Sequence, residues 1–500
     1  MQGRPIASGF VCATTIAKVD PPRVPLFSLK SHRLRICLFL TIALYIGYAN
    51  RMALSVGVVC MVNSTSTNGD DSPSRGACGN VSSIEDDLPF PGEMNWTPSE
   101  QAFMVSSAFY GGAITILFSG SLADQYGPTR VLLAALGTST FLTVLAPLIA
   151  RTSYYLLLIS RMIIGMGESF FVPGVNCLAV KWYPRSEKTT LAALYTSGIQ
   201  LAAGFGSLFA AELCRSETLG GWPSIFYIFG AISVVFLILF VVFVDDTPFK
   251  SRWTSNKEKE YLREMLPPPG KKPTMLSAPW KAMLCSPPLH AVMTCSFAFG
   301  YSTAVVQAYL PMYLSEELGL PVETIGLYTL APFIVQIIAK SICGPLTDIS
   351  AHRGWTTLTN ATKIAQSLGS FGASAMLICL AFVPSCDNPH IVLPILIVFG
   401  TVYAGGVCGY YTSLLMMSPL YTGTLSSFAQ VFMMLAAICS SFLVTTLTSM
   451  ELEHKWKFIF VSAAFFQALG GLHYLLVGST EKQLWADVRR SRKTRSCEEF

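Results

Sequence analysis

Apolar residues along this chain gather into continuous runs of about 20, the length at which one helix crosses the hydrocarbon core of a bilayer. Twelve runs can be counted, near 36–62, 99–122, 131–150, 154–180, 189–213, 223–244, 289–314, 323–346, 357–383, 391–416, 422–448 and 457–478. The pattern predicts an all-α membrane protein with twelve transmembrane helices in two six-helix halves. The expected divisions are an N-terminal tail 1–35, a first half 36–244 with a long loop at 63–98, a central loop 245–288, a second half 289–478 and a basic tail 479–500.

Composition agrees. Residues are 52% hydrophobic and only 13% charged, against about 25% charged in a soluble domain. The net charge of +5 sits in loops and tails, so it speaks to topology and not to nucleic acid. Loops after spans two, four and six carry Arg130, Lys181, Arg185, Lys188 and the basic central stretch, while the opposite loops hold few cations. The positive-inside rule then puts both termini and the central loop in the cytosol. The 63–98 loop holds three sequons, at Asn63, Asn80 and Asn95, expected to be glycosylated on the lumenal or extracellular face. The membrane is a plasma membrane or a vesicular or lysosomal one, and a monomer is expected. A charged run, Lys257 to Arg263, suggests a short surface helix.

No CxxC, Cys/His cluster, HExxH or Walker motif is present, so no metal, cofactor or enzyme chemistry is expected. Cys78, Cys214 and Cys386 fall in or near outer loops, where a disulfide can form.

Charges inside the apolar runs carry the functional argument, since each costs at least about 2.5–3.5 kcal/mol on insertion scales. Arg161 and Glu168 of span four are seven residues apart, about two turns, and so share a helix face. They either line a watery path or form a structural ion pair. Arg51 lies mid-run in span one; its rigid fork suits a carboxylate or phosphate, and snorkelling to the interface is the plainer alternative. Desolvation favours the neutral form of Glu168 and a nearby guanidinium favours the carboxylate, an opposition suited to proton coupling, with Arg161 as the same-face partner. Lys340 of span eight either draws the anion, pairs within the bundle or reaches Asp348. Tyr110, Tyr195 and Tyr301 offer hydroxyls that line such a site or simply pack.

The halves also share a motif. Gly120, Asp124 and Arg130 follow span two, and Gly344, Asp348 and Arg353 follow span eight. Two copies in matching places suggest parallel repeats and a gate where helix ends approach closely.

Twelve spans, a long central loop and GxxxDxxGxxR after span two resemble the major facilitator superfamily. More narrowly, the chain resembles solute carrier family 17, the anion–cation symporters that include sialin, the vesicular glutamate transporters and type I sodium–phosphate cotransporters. The residues carrying this are Asn50 to Val56 in span one, Arg161, Gly165, Glu168 and Pro173 in span four, Lys181 to Glu187 after it, Gly221 to Tyr227, Asp246 to Pro248, Pro332 and Ser418 to Gly423. The resemblance implies a secondary transporter of small organic or inorganic anions, coupled to H⁺ or Na⁺, with Arg51 on the substrate path and Glu168 as coupling group. A channel or uniporter, or a non-transporting anion sensor of the same fold, are the alternatives. Phe299 stands where the glutamate transporters have a second arginine in span seven, and Val105 near their span-two histidine, which favours a monoanionic organic acid or phosphate over glutamate.

Overall fold

Helices occupy the apolar runs. The computed structural model describes residues 25–28, 31–62, 75–76, 79–80, 92–215, 220–266, 279–450, 452 and 454–486. Span one is α1 (His32–Met61), followed by a short antiparallel pair, β1 (Arg75–Gly76) and β2 (Gly79–Asn80). Spans two and three are α2 (Pro98–Tyr126) and α3 (Pro128–Thr152). Span four is α4 (Tyr154–Glu168) plus α5 (Phe171–Trp182). Span five is α6 (Lys188–Tyr195), α7 (Ser197–Leu201), a π turn at Ala202–Gly206 and α8 (Ser207–Arg215), and span six is α9 (Trp222–Phe243). The central loop holds α10 (Asn256–Met265) and α11 (Trp280–Leu284). Span seven is α12 (Pro287–Ala304), a π turn at Val305–Tyr309 and α13 (Leu310–Glu316); spans eight and nine are α14 (Val322–His352) and α15 (Leu358–Phe382). Span ten is α16 (Val392–Tyr403), a π turn at Val407–Tyr411 and α17 (Thr412–Met417), before α18 (Thr422–Ser449) and α19 (Lys455–Val477).

Among the described residues, eleven helical stretches are long and apolar enough to cross a membrane. Span five is the twelfth, divided into shorter pieces. There the Thr196 hydroxyl donates to the Ala192 carbonyl at 2.7 Å and Ser197 Oγ to that of Ala193 at 3.0 Å. Such side-chain bonds compete with the helix ladder and bend it.

Two bundles result, the twelve-helix arrangement expected. In the first, α1 packs on α9, α2 on α4, and α3 on α4 and α9; in the second, α12 packs on α18 and α19, α15 on α19, and α14 on α16. Small residues let backbones touch. A Cβ at Gly165 would stand 1.9 Å from the Ala108 carbonyl oxygen, and one at Gly111 1.9 Å from that of Met162, the close approach that drives helix association in lipid. The bundles meet through α2 with α18, α5 with α18, and α14 with α6.

At the central-loop end, α10 is docked and not a free surface helix. Glu258, fully buried, accepts the His32 and Arg33 amides at 3.1 and 3.2 Å and Arg33 Nε at 3.0 Å. It thus caps the first turn of α1, whose amides have no intrahelical partner. Arg33, also buried, pairs with Glu187 as well. Burial pushes the Glu187 carboxyl above its ordinary value, with the Arg33 charge acting against it.

Candidate functional site

Asn50 fixes how α1 is turned. It is fully buried and donates to Ser139 Oγ and Ser233 Oγ, both at 3.4 Å, from spans three and six. Its neighbour Arg51, about 100° further round the helix, points away from that contact towards Phe109 of α2 and Glu168 of α4. The Arg51 side chain is 25% exposed, with its guanidinium 5.0 Å from the ring centres of Tyr48 and of Phe109. Arg51 Nη1 lies 3.7 Å from Glu168 Oε2.

Glu168 is the last residue of α4. Pro173 has no amide to give the Ser169 carbonyl, so the helix breaks there and restarts at Phe171. Thr115 Oγ1 from α2 donates to the Met166 carbonyl at 3.0 Å and meets Ser169 Oγ at 2.8 Å, filling the break. The negative end of a half-helix and a carboxylate therefore coincide, an arrangement that favours a cation or proton. Glu168 Oε1 is buried without a hydrogen-bond partner.

Arg161 shares the face but not the contact. Seven residues of helix rise about 10.5 Å, no ion pair joins the two among the described residues, and the ion-pair partner of Glu168 is Arg51 across the bundle. Arg161 is 1% exposed, sits 5.2 Å from the Phe226 ring centre, and leaves Nε and Nη2 without hydrogen-bond partners.

Lys340, fully buried on α14, crosses between the halves: Nζ donates to Thr196 Oγ1 at 3.1 Å and Gln200 Oε1 at 2.7 Å. Asp348 is occupied elsewhere. Its Oδ2 accepts both the amide and the hydroxyl of Thr190 at 2.7 Å, in the first turn of α6. Asp124 Oδ2 likewise accepts the Thr424 amide and hydroxyl, both at 2.9 Å, and Oδ1 the Gly423 amide at 3.1 Å, in the first turn of α18. Each repeated aspartate thus caps a helix of the other half. The glycines permit it: a Cβ on Gly120 would lie 1.8 Å from the Gly423 carbonyl oxygen, and one on Gly344 3.0 Å from Ala193 Cβ. Arg130 is exposed at the start of α3.

Of the three tyrosines, Tyr195 joins this interface, donating to Asn176 Oδ1 at 2.8 Å. Tyr411 donates to the same oxygen at 2.7 Å, and Asn176 Nδ2 donates to Ser426 Oγ at 2.9 Å. Tyr301 bonds Ser462 within the second half, and Tyr110 is half-exposed on α2 beside Phe103. Asn95 is exposed, Asn80 lies in β2, and Asn63 and Cys78 lie outside the described residues. Cys214 is bonded to Cys60, joining α8 to α1, and Cys386 is also disulfide-bonded. Phe299 stacks on Tyr403 with ring centres 4.4 Å apart.

Two helical bundles, with Lys340 hydrogen-bonded from one to the other and the Arg51–Glu168 pair inside the first, define a membrane transporter architecture. The chain belongs to the Major Facilitator Superfamily, whose family model matches residues 40–440. Within it the relatives are of the solute carrier 17 kind. An uncharacterized transporter of Caenorhabditis elegans, slc-17.3, is 30% identical over 491 residues, covering 93% of this chain and 91% of its own. Sodium-dependent phosphate transport protein 3 of Mus musculus is 30% identical over 450 residues, covering 88% and 92%. Among solved structures, the proton:xylose symporter XylE matches with a TM-score of 0.66 at 17% identity, over 91% of this chain and 98% of that one.

Proposed function

We propose that this protein is a secondary active transporter that carries a small organic or inorganic anion together with H⁺ or Na⁺ by alternating access. The observation that carries the reading is the Arg51–Glu168 pair at 3.7 Å, with both side chains partly exposed. While both are ionised they balance each other. A proton or sodium ion on Glu168 frees Arg51 for an anion, so the pair is charge-balanced either empty or doubly loaded. Burying it half-loaded leaves an uncompensated charge in low dielectric, which is strongly unfavourable. That difference enforces coupling without ATP.

The moving bodies are 36–244 and 289–478, linked by 245–288 on the cytosolic side, with both termini there and sugars on the opposite loop. Asp124 and Asp348, with Gly120 and Gly344, form the cytosolic gate, a reading supported by their bonds to helix starts of the opposite half, and Arg130 borders it. Arg161 stands by as a buried reserve of positive charge near Glu168, and Lys340 is the second half's cation on the path. Phosphate is the substrate class to try first, because the mouse relative is named for it.

The test is uptake of labelled inorganic phosphate by proteoliposomes under an imposed proton or sodium gradient. The parent protein accumulates label; Glu168→Gln exchanges it across the membrane but does not accumulate it. Unchanged gradient dependence in Glu168→Gln overturns the coupling assignment, and flux in the parent that never exceeds equilibrium reassigns the protein as a uniporter.

A further inference from the structure

Two buried donors on one face of α14 lack what their chemistry asks for. Lys340 is fully buried, its hydrogen bonds go to a hydroxyl and a neutral amide, and none of the ion pairs among the described residues includes it. One turn earlier, Gln336 is 5% exposed with Nε2 unpartnered. Residues four apart are neighbours on a helix surface, so the ammonium and the amide offer adjacent N–H groups. A buried ammonium without a counter-charge and a buried amide without an acceptor are both unfavourable, and one oxyanion with two acceptor oxygens satisfies both.

The present partners of Lys340 belong to the other half, and they sit on its most irregular helix. Thr196 is the break between α6 and α7, and Gln200 stands two residues before the π turn Ala202–Gly206. Such turns mark places where a helix can change register. A Cβ on Gly204 within that turn would lie 2.5 Å from Leu330 of α14, so the turn itself rests against the lysine's helix.

We infer that Gln336 and Lys340 form a second oxyanion-binding pair, and that an anion arriving there draws Lys340 off Thr196 and Gln200, so that the cargo itself unlocks the central-loop end. The inference rests on the transport reading for the anion's route. It adds a residue, Gln336, and an order of events: binding first, then release of the inter-half bonds. An anion held at Arg51 alone leaves those bonds in place.

Cys177 is a built-in reporter. It is a free, buried thiol on α5 that donates to Asp124 Oδ1 at 2.9 Å under the α18 cap, where opening of the halves exposes it. The experiment is maleimide labelling of full-length protein in lipid nanodiscs, read peptide by peptide for Cys177, with sodium phosphate and then sodium benzoate as the probe. In the parent, one of these anions raises the labelling rate about tenfold, the scale set by losing a hydrogen bond to a charged group. Lys340→Met labels fast without anion and gains nothing from it. Gln336→Leu labels slowly at rest and needs about tenfold more anion for the same rise. Slow resting labelling in Lys340→Met, an unaltered anion response in both variants, or a parent that answers neither anion overturns the inference. Gradient-driven uptake with Cys177 labelling unmoved by anion sinks this inference alone. Anion-driven labelling without gradient-driven uptake sinks the symport reading alone.

Discussion

Asp124 and Asp348 are equivalent in what they hold: each accepts an amide and a hydroxyl from one threonine in the first turn of a helix belonging to the opposite half, Thr424 for the first and Thr190 for the second. The repeated motif is therefore a pair of reciprocal caps. Their charge matters because the amides at a helix start carry partial positive charge.

Replacing either aspartate by asparagine keeps the shape and removes the charge. A hydrogen bond to a charged group contributes about 1.5–3 kcal/mol, so each change lowers the closed-to-open ratio at the central-loop end about tenfold or more. Spin-label distances between α2 and α18, measured without substrate, should shift towards separation in Asp124→Asn and again in the double variant. Distances identical to the parent remove the caps from the gate.

Arg51→Lys keeps a positive charge but loses the fork and the flat face that lies over Tyr48 and Phe109. Those contacts distinguish arginine from lysine wherever an oxyanion is bound bidentately. Initial rates of phosphate uptake should fall at least about tenfold in kcat/KM, on the scale of one charge-assisted bond, with the melting temperature little changed. Parental rates mean that Arg51 acts only as a point charge.

Much of this was legible in the chain. Arg51 and Glu168 stand out because lipid depth makes any charge costly, and Asp124 with Asp348 because the motif occurs twice. What the sequence withheld depends on packing. Arg161 and Glu168 share a face by spacing, yet only the approach of α1 reveals that Arg51 is the carboxylate's partner. Asn176 is one polar residue in an apolar run, with no period to flag it, although Tyr195 and Tyr411 both converge on it. The breaks in span five come from hydroxyls competing for carbonyls, which a hydropathy run does not register. Glu258 lies in a charged stretch that reads as solvated, and is buried because the start of α1 needs a cap.

Two glycines separate packing within a half from packing between halves. A Cβ at Gly165 collides with Ala108 of the same bundle; a Cβ at Gly120 collides with Gly423 of the other. Gly165→Ala should destabilise the protein by about 1–3 kcal/mol, the usual cost of overpacking, seen as a lower melting temperature in detergent. Gly120→Ala should leave that temperature nearly unchanged and instead speed Cys177 labelling, because the bundles can no longer close. Equal melting losses in both would mean that the inter-half contact is part of the folded core and not a gate.

Arg33 and Glu258 make the last case, one of assembly and not transport. Both are fully buried, so removing Arg33 leaves Glu258 without its guanidinium, and removing Glu258 takes from Arg33 one of its two carboxylates. Breaking a buried pair typically costs about 3–5 kcal/mol. Arg33→Leu should therefore lower the melting temperature and the yield of folded protein sharply, and so should Glu258→Leu, which also uncaps α1. The double variant Arg33→Leu with Glu258→Leu recovers part of the loss by removing both charges, but not all, because Glu187 then lacks its arginine and the α1 amides lack their acceptor. Limited proteolysis within α10 itself supplies the second readout: α10 released from α1 becomes open to cleavage there. A Glu258→Leu protein that melts and resists protease like the parent would show that hydrophobic contacts of Tyr261 and Leu262, and not the buried carboxylate, hold α10 in place.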